Sequence, residues 1–201
     1  MPLDPHIKKL LIENYRSLFQ KYGDTPEANQ WSPEGERFRL EKLTQIAPLG
    51  GLKILDVGCG LGHLYPLLLN KFSHVEYTGV DIVPDTVTYA AQKYPNTRFL
   101  CQDLLEEPLR EQFDYVFLSG VFNNTIPSAT EFLKELVSIS FQHCTTGLAF
   151  NFTSTYVNYR DAGMAYHDPI EVLDFCLKNL SRKLILHNHY EHCDVAVFLY
   201  R

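Results

Sequence analysis

Residues 54–63 read Ile-Leu-Asp-Val-Gly-Cys-Gly-Leu-Gly-His. An apolar strand carrying an acid, Asp56, runs into glycines at every second position, Gly58, Gly60 and Gly62. Glycines so spaced let main chain approach a bound molecule closely. The apolar run Leu64 to Leu69 then predicts a helix whose first N–H groups face that same molecule. A second acid, Asp81, ends the next apolar strand, in Thr-Gly-Val-Asp-Ile, 21 positions after Gly60 (81 − 60). A carboxylate about 20 residues past a glycine loop is placed to accept from ribose hydroxyls. The alternative for Asp81 is a loop carboxylate capping the helix that opens near Pro84. Together these residues point to a cofactor that contains a nucleoside.

The spacing separates the candidates. A dinucleotide fingerprint is G-x-G-x-x-G, and a phosphate-binding P-loop needs G-x-x-x-x-G-K followed by Ser or Thr. The chain has D-x-G-x-G-x-G from Asp56 to Gly62 instead. On this motif it resembles the class I S-adenosylmethionine-dependent methyltransferases, and it is similar to the small bacterial members grouped with trans-aconitate methyltransferases. The likeness covers about Lys53 to Asn123. S-adenosylmethionine carries a carboxylate, an ammonium and a sulfonium but no phosphate, so an acid beside the loop suits it better than a pure anion cradle.

The resemblance implies roles for particular residues. The loop with Asp56, Gly58, Cys59, Gly60 and Gly62 would cup the amino-acid tail, and Asp81 would bind both ribose hydroxyls. Ile82 would wall the adenine ring. Asp103, after the next strand, would accept from the adenine amino group while the N–H of Leu104 meets the ring; a structural acid is the other reading of Asp103. In Ser119-Gly-Val-Phe-Asn, carbonyls of Ser119 and Gly120 would hold the methionine ammonium, and side chains such as Phe122 and Asn123 would reach the transferred methyl. Arg39 would take the methionine carboxylate, as in members that methylate ubiquinone precursors, or else it is a solvated surface arginine.

Methyl transfer is an in-line displacement in which the cofactor carries the reactive group. It demands alignment and no obligatory side chain, and a base only if the acceptor sheds a proton. Catalytic candidates are therefore few: Asn123, to orient an acceptor or cap its loop, and His167, a base or part of a turn. Tyr156, Tyr159, Tyr166 and His167 are the candidates for lining an acceptor pocket. The expected acceptor is a small molecule. The (D/N)-P-P-(Y/F) motif of base amino-group enzymes, the Pro-Cys pair of cytosine-carbon enzymes and the Asp-Asn pair of metal-dependent catechol enzymes do not occur. The His187-Asn-His-Tyr-Glu-His-Cys193 run matches no usual zinc spacing, and no metal is expected there. Two rival functions stay open: a nicotinamide-dependent oxidoreductase on a Rossmann-like sheet, and a non-catalytic S-adenosylmethionine-binding protein.

The elements that must position these groups alternate. Strands are expected at Lys53–Val57, Val75–Val80, Thr97–Cys101, Phe113–Leu118 and Thr146–Phe152, with helices between them. Lys183–His189 and Val195–Tyr200 read as a terminal strand pair. Helical stripes at Leu3–Tyr22 and after Ser32-Pro33 precede the first strand. Ser128–Glu131 and Asp168–Glu171 read as capping boxes. This alternation predicts an α/β, Rossmann-like, doubly wound sheet, mostly parallel. The resemblance makes it seven-stranded, with one antiparallel strand near the C-terminus. One domain is expected over 1–201, with a helical cap at 1–50 and the core at 51–201.

Composition narrows the partners. A formal net charge of −6 argues against a broad nucleic-acid face. No apolar run approaches the roughly 18 residues that span a bilayer, and Met-Pro-Leu-Asp-Pro is not a secretion signal. Five scattered cysteines without a C-x-x-C pair fit a reduced cytoplasm, each as a small buried hydrophobe. A monomer or homodimer is expected.

Overall fold

The structure, a computed structural model, describes residues 3–189 and 194–201. Asp4 caps α1 (Pro5–Tyr22) by accepting from the N–H groups of His6 and Ile7, with Pro5 at the first helical position. Ser32 does the same for α2 (Pro33–Leu43), accepting from Gly35 at 3.1 Å. The expected second helix ends one turn early, its last residues 44–46 tightening into a 3₁₀ turn before Pro48.

The core then alternates as β1 (Lys53–Val57), α3 (Leu64–Phe72), β2 (Glu76–Asp81), α4 (Pro84–Lys93), β3 (Arg98–Cys101), β4 (Phe113–Leu118), α5 (Ala129–Gln142), β5 (Cys144–Thr153), α6 (Pro169–Asn179), β6 (Leu184–His189) and β7 (Asp194–Tyr200). One sheet contains all seven strands in the order β3-β2-β1-β4-β5-β7-β6. The pairs from β3 to β5 are parallel, and β7 lies antiparallel to both β5 and β6. The order reverses between β1 and β4, so the carboxyl ends of these two strands open a crevice where ligands bind in such sheets.

Strand periodicity divides the core between two faces. Leu55, Val57, Val116 and Leu118 point to the side covered by α5 and α6, through Leu133, Val137, Val172 and Cys176. Ile54, Tyr115 and Phe117 point to the side covered by α2 and α3, through Leu40, Leu43, Leu64 and Leu68. Cys59, Cys144 and Cys176 are buried as expected; Cys101 is exposed at the end of the edge strand β3, and Cys193 lies outside the described residues.

Two helix starts differ from the sequence pattern. Ser128 sits at φ 55°, and in that left-handed conformation its hydroxyl makes no bond to the first turn of α5. Asp168 does cap α6, accepting from Ile170 at 2.8 Å, but Glu171 pairs with Lys134 at 2.6 Å instead of closing the box. No helix among the described residues is long and apolar enough to cross a membrane.

Phe117 lies in the middle of the sheet and is fully buried. We expect Phe117→Ala to cost about 3–5 kcal/mol in urea unfolding, the transfer and cavity terms of an aromatic core residue. A loss below about 1 kcal/mol is the size of a surface substitution and would contradict the central placement of β4.

Candidate active site

The glycine loop is held open by its own backbone. Gly58, Gly60 and Gly62 have φ of 75°, 49° and 76°, a region costly for any residue with a Cβ. A Cβ on Gly58 would stand 2.5 Å from Val121, and one on Gly62 2.9 Å from Phe99. These positive angles also delay the helix, which starts at Leu64 and not at Leu61. The loop is sewn to the end of β2: Gly58 and Cys59 both donate to the carbonyl of Val80, at 2.8 and 3.1 Å.

Asp81 finishes that seam. One carboxylate oxygen accepts from Gly60 N–H at 2.8 Å, the other from Val83 N–H at 2.9 Å. Burial raises its pKa, against the pull of these N–H groups. Asp56 lies behind the loop, buried, and accepts from the Tyr77 hydroxyl at 2.6 Å; burial pushes its pKa up to about 7. Asp103 accepts from Leu105 N–H at 2.9 Å and meets Lys8 of α1 at 2.9 Å, so the first helix is pinned across the crevice. A second pin joins Arg16 to Asp85 at 2.8 Å.

The cleft bounded by these groups holds about 1360 Å³ of atom-free space, counting its open mouth. Its wall brings together Asp56, Gly58, Cys59, Gly60, Asp81, Ile82, Asp103, Leu104, Ser119, Gly120 and Phe122 of the expected set.

Other expected residues stand elsewhere. Gly62 is on the back of the loop, packed by Phe99 and Tyr94. Arg39 is buried behind Trp31: its guanidinium lies 3.7 Å from the indole centre, and its Nε is 2.6 Å from Asp194. Asn123 turns inward and accepts from Thr153 at 3.1 Å. Tyr156 and Tyr159 are exposed, and the Tyr166 hydroxyl accepts from Asp161 N–H at 2.9 Å, away from the cleft wall. His167 is no base for the cleft. It is 1% exposed, its Nε2 donates to the Phe122 carbonyl at 2.9 Å, and its Nδ1 faces the Thr130 hydroxyl at 3.2 Å. Burial lowers its pKa, and the neutral ring braces the loop after β4 against α5. His187 packs on Phe198 at 5.2 Å, and residues 190–193 of the histidine run lie outside the described residues.

Several cleft residues escaped the sequence reading. Trp31, the chain's one tryptophan, presses on Gly120, whose Cβ position would be 3.1 Å from the indole. Gly120 N–H in turn donates to Asn151 at 2.8 Å. His63 closes the quoted motif and sits between two carboxylates, Glu36 at 2.9 Å on Nδ1 and Asp24 at 3.0 Å on Nε2. Burial would lower its pKa, but the hydrogen bonds and charges of Glu36 and Asp24 outweigh that and raise it.

The profile of a family described as "Methyltransferase domain" matches residues 54–140, from β1 into α5. Malonyl-[acyl-carrier protein] O-methyltransferase of Acetivibrio thermocellus is 38% identical over 73 residues, 35% of this chain and 26% of that protein. Trans-aconitate 2-methyltransferase of Rhodopseudomonas palustris (strain BisB5) is 31% identical over 107 residues, 52% of this chain and 41% of that protein. The matched segments thus span less than half the length of these two relatives. Magnesium protoporphyrin IX methyltransferase from Synechocystis PCC 6803, solved with bound S-adenosylmethionine, shares the fold over 100% of both chains, with a TM-score of 0.72 at 18% identity.

Residues 54–140 carry the signature of a methyltransferase domain, on a fold shared with a methyltransferase solved with bound S-adenosylmethionine.

In this domain the acid of the glycine-loop motif, Asp56, is a buried group with an unusual pKa, and that has a measurable consequence. Its folded value of about 7 lies above its ordinary 3.8. Ionising it therefore costs stability that accumulates as pH rises from about 4 to about 7 and persists above. Asp56→Asn keeps an acceptor for Tyr77 and never ionises. We expect the melting temperature of the variant, relative to the parent, to rise by roughly 2–8 °C between pH 5 and pH 8. A difference that stays flat with pH would refute a buried, titrating Asp56.

Proposed function

We propose that the crevice binds S-adenosylmethionine and that its methyl group passes to a small-molecule acceptor through nitrogen or oxygen. The observation that carries this reading is the state of Asp81. An ionised carboxylate offers about four acceptor sites on its two oxygens. Here one site on each oxygen is filled by a backbone N–H, which leaves one on each for a pair of ribose hydroxyls. The backbone fits too: Gly58 and Gly120 both face the cleft without side chains, where a bulky ligand needs close approach.

In this reading Asp81 grips the ribose, Asp103 and Leu104 meet the adenine edge, and Ile82 walls its face. Ser119 and Gly120 meet the methionine ammonium. Among the described residues on the cleft wall, no lysine or arginine is present, and His63 is the one group whose surroundings favour a positive charge. His63 has both ring nitrogens held by Glu36 and Asp24, so it lends positive charge near the methionine carboxylate without a free hydrogen bond, and Arg39 supports Trp31 from behind. The same wall opposes a dinucleotide, whose diphosphate would meet Asp56, Asp81, Asp103 and Glu36 with no arginine or lysine to answer it.

When bound, the cofactor supplies a methyl group activated on a sulfonium. The chain's own contribution is to fix the cofactor from both ends and to exclude water with α1. Orientation of this kind can remove about 7–11 kcal/mol from a bimolecular barrier.

Loss of the Asp81 carboxylate removes charge-assisted hydrogen bonds worth about 1.5–3 kcal/mol, so Asp81→Ala should weaken S-adenosylhomocysteine binding about 10- to 100-fold in calorimetry. Asp174→Ala, an exposed α6 acid paired with Lys178, serves as the control and should leave the affinity unchanged. Unchanged affinity in a folded Asp81→Ala protein, or preference for NAD over S-adenosylmethionine, would remove the assignment.

A further inference from the structure

The acceptor's chemistry is written in what lines the remainder of the cleft. With the acids and the glycine loop given to the cofactor, an inference that rests on the reading above, the rest of the wall is mostly apolar. Leu11 comes from α1, Trp31 from the turn before α2, Phe122 and Ile126 from the segment after β4, and Phe132 from α5. Its polar members are Asn29, Thr86, Gln102 and one linked pair, Tyr15 and Asn124, in which the Asn124 amide donates to the Tyr15 hydroxyl at 2.7 Å. Burial raises the Tyr15 pKa, so this phenol stays neutral.

Charge sharpens the picture. The cleft wall carries the carboxylates of Glu36, Asp56, Asp81 and Asp103, and His63 is already matched by Glu36 and Asp24. Two nearby cations are engaged: Lys8 bridges Asp103 and Glu106, and Arg39 is held by Asp194 behind the indole. A carboxylate acceptor brought into this space would lose its hydration and meet no uncommitted cation among the described residues, on a wall that already carries acids. That separates the cleft from what the name of the malonyl relative describes.

We infer that the methyl acceptor is a ring compound bearing an uncharged or cationic head, an aromatic amine or a phenol, and not a carboxylate. A flat ring stacks on Trp31, and the Tyr15–Asn124 pair gives one polar anchor. The electron balance is simple. A cationic amine first gives its extra proton to water; the acceptor's lone pair then forms the new bond to the methyl carbon, the carbon–sulfur bond breaks with its electrons on sulfur, and any remaining proton shed by nitrogen or oxygen passes to water.

Three probes with one ring and different charge test this: p-cresol, tyramine and 4-hydroxyphenylacetate, each titrated into protein saturated with S-adenosylhomocysteine. We expect p-cresol and tyramine to bind at least about tenfold more tightly than the carboxylate, the scale set by burying one uncompensated charge next to like charges. Ile126→Lys, which places a cation on the wall from a surface loop, should selectively improve binding of 4-hydroxyphenylacetate. Equal or tighter binding of the carboxylate by the parent protein would overturn the inference, as would no binding of any probe. In both cases S-adenosylhomocysteine binding would still stand and the cofactor reading with it. A protein that does not bind S-adenosylhomocysteine would instead bring down that reading first, and this inference with it.

Discussion

The hydrogen bond from Gly60 N–H to the Asp81 carboxylate is the joint on which the site depends. It ties a loop with left-handed angles to the end of a neighbouring parallel strand, and it does so with a charged acceptor in a buried position. The loop would otherwise have few reasons to hold its shape, since its glycines have no side chains to pack and lose much conformational freedom on ordering. The Val80 carbonyl takes the two preceding N–H groups, so three consecutive N–H groups of the turn are satisfied by β2 alone. The register of β1 on β2, with Val57 opposite Val80, sets that geometry. The groups proposed to bind the cofactor are thus the same atoms that hold the loop in shape.

The two sides of this joint were legible in the sequence, and the bond between them was not. Alternating glycines announce a turn of positive φ, and an acid ending an apolar strand about 20 residues later announces a ribose acceptor, but nothing in the spacing reports that the same carboxylate holds Gly60. The mostly parallel, doubly wound sheet followed from the alternation of elements, and its seven strands with one antiparallel member from the family resemblance. Arg39 was different. Its direction is decided by Asp194, which lies 155 positions away (194 − 39) on the last strand, and by stacking on Trp31. No spacing rule near residue 39 reports either contact. His167 and the tyrosines near it failed for a related reason. Polar aromatics after a fifth strand match a pocket in composition, but pairing of the segment with residues 123–125, through Ala165 N–H to the Asn123 carbonyl and Thr125 N–H to the Gly163 carbonyl, turns His167 into the core and leaves Tyr156 and Tyr159 in solvent. His63 carried a signal that was passed over: a titratable side chain directly after the third glycine stands at the entrance to the helix.

The network around His63 also shows how the cap and the core are joined. Asp24 follows α1, Glu36 is on α2, and His63 opens α3, so one imidazole links three segments. Lys93 of α4 adds a fourth through Asp24 at 2.6 Å. Because the folded pKa of His63 is raised, its contribution to stability is full below its ordinary value near 6.5 and fades as pH rises through the folded value. Asp56 works in the same direction at the back of the same loop, since its burial penalty grows on the way to neutral pH. Both effects loosen the site on the alkaline side, one from the cap and one from the core.

The acidity of the cleft bears on the proposed chemistry in a way that is easily misread. Carboxylates near a sulfonium stabilise the bound cofactor, but that positive charge is being lost as the methyl leaves. Their attraction is therefore stronger in the ground state than in the transition state, and by itself it slows transfer. The burial of Asp56 limits this cost, because a carboxyl with a pKa of about 7 is only partly ionised at neutral pH. The remaining acids are spoken for by backbone N–H groups or by Lys8, which damps their fields. After transfer the product has a neutral sulfur and gains less from the same carboxylates, so the wall that holds the substrate cofactor favours release of its product. Rate must then come from alignment, with the ribose and the amino-acid tail held at opposite ends and the methyl directed at an apolar, cation-poor compartment that excludes water.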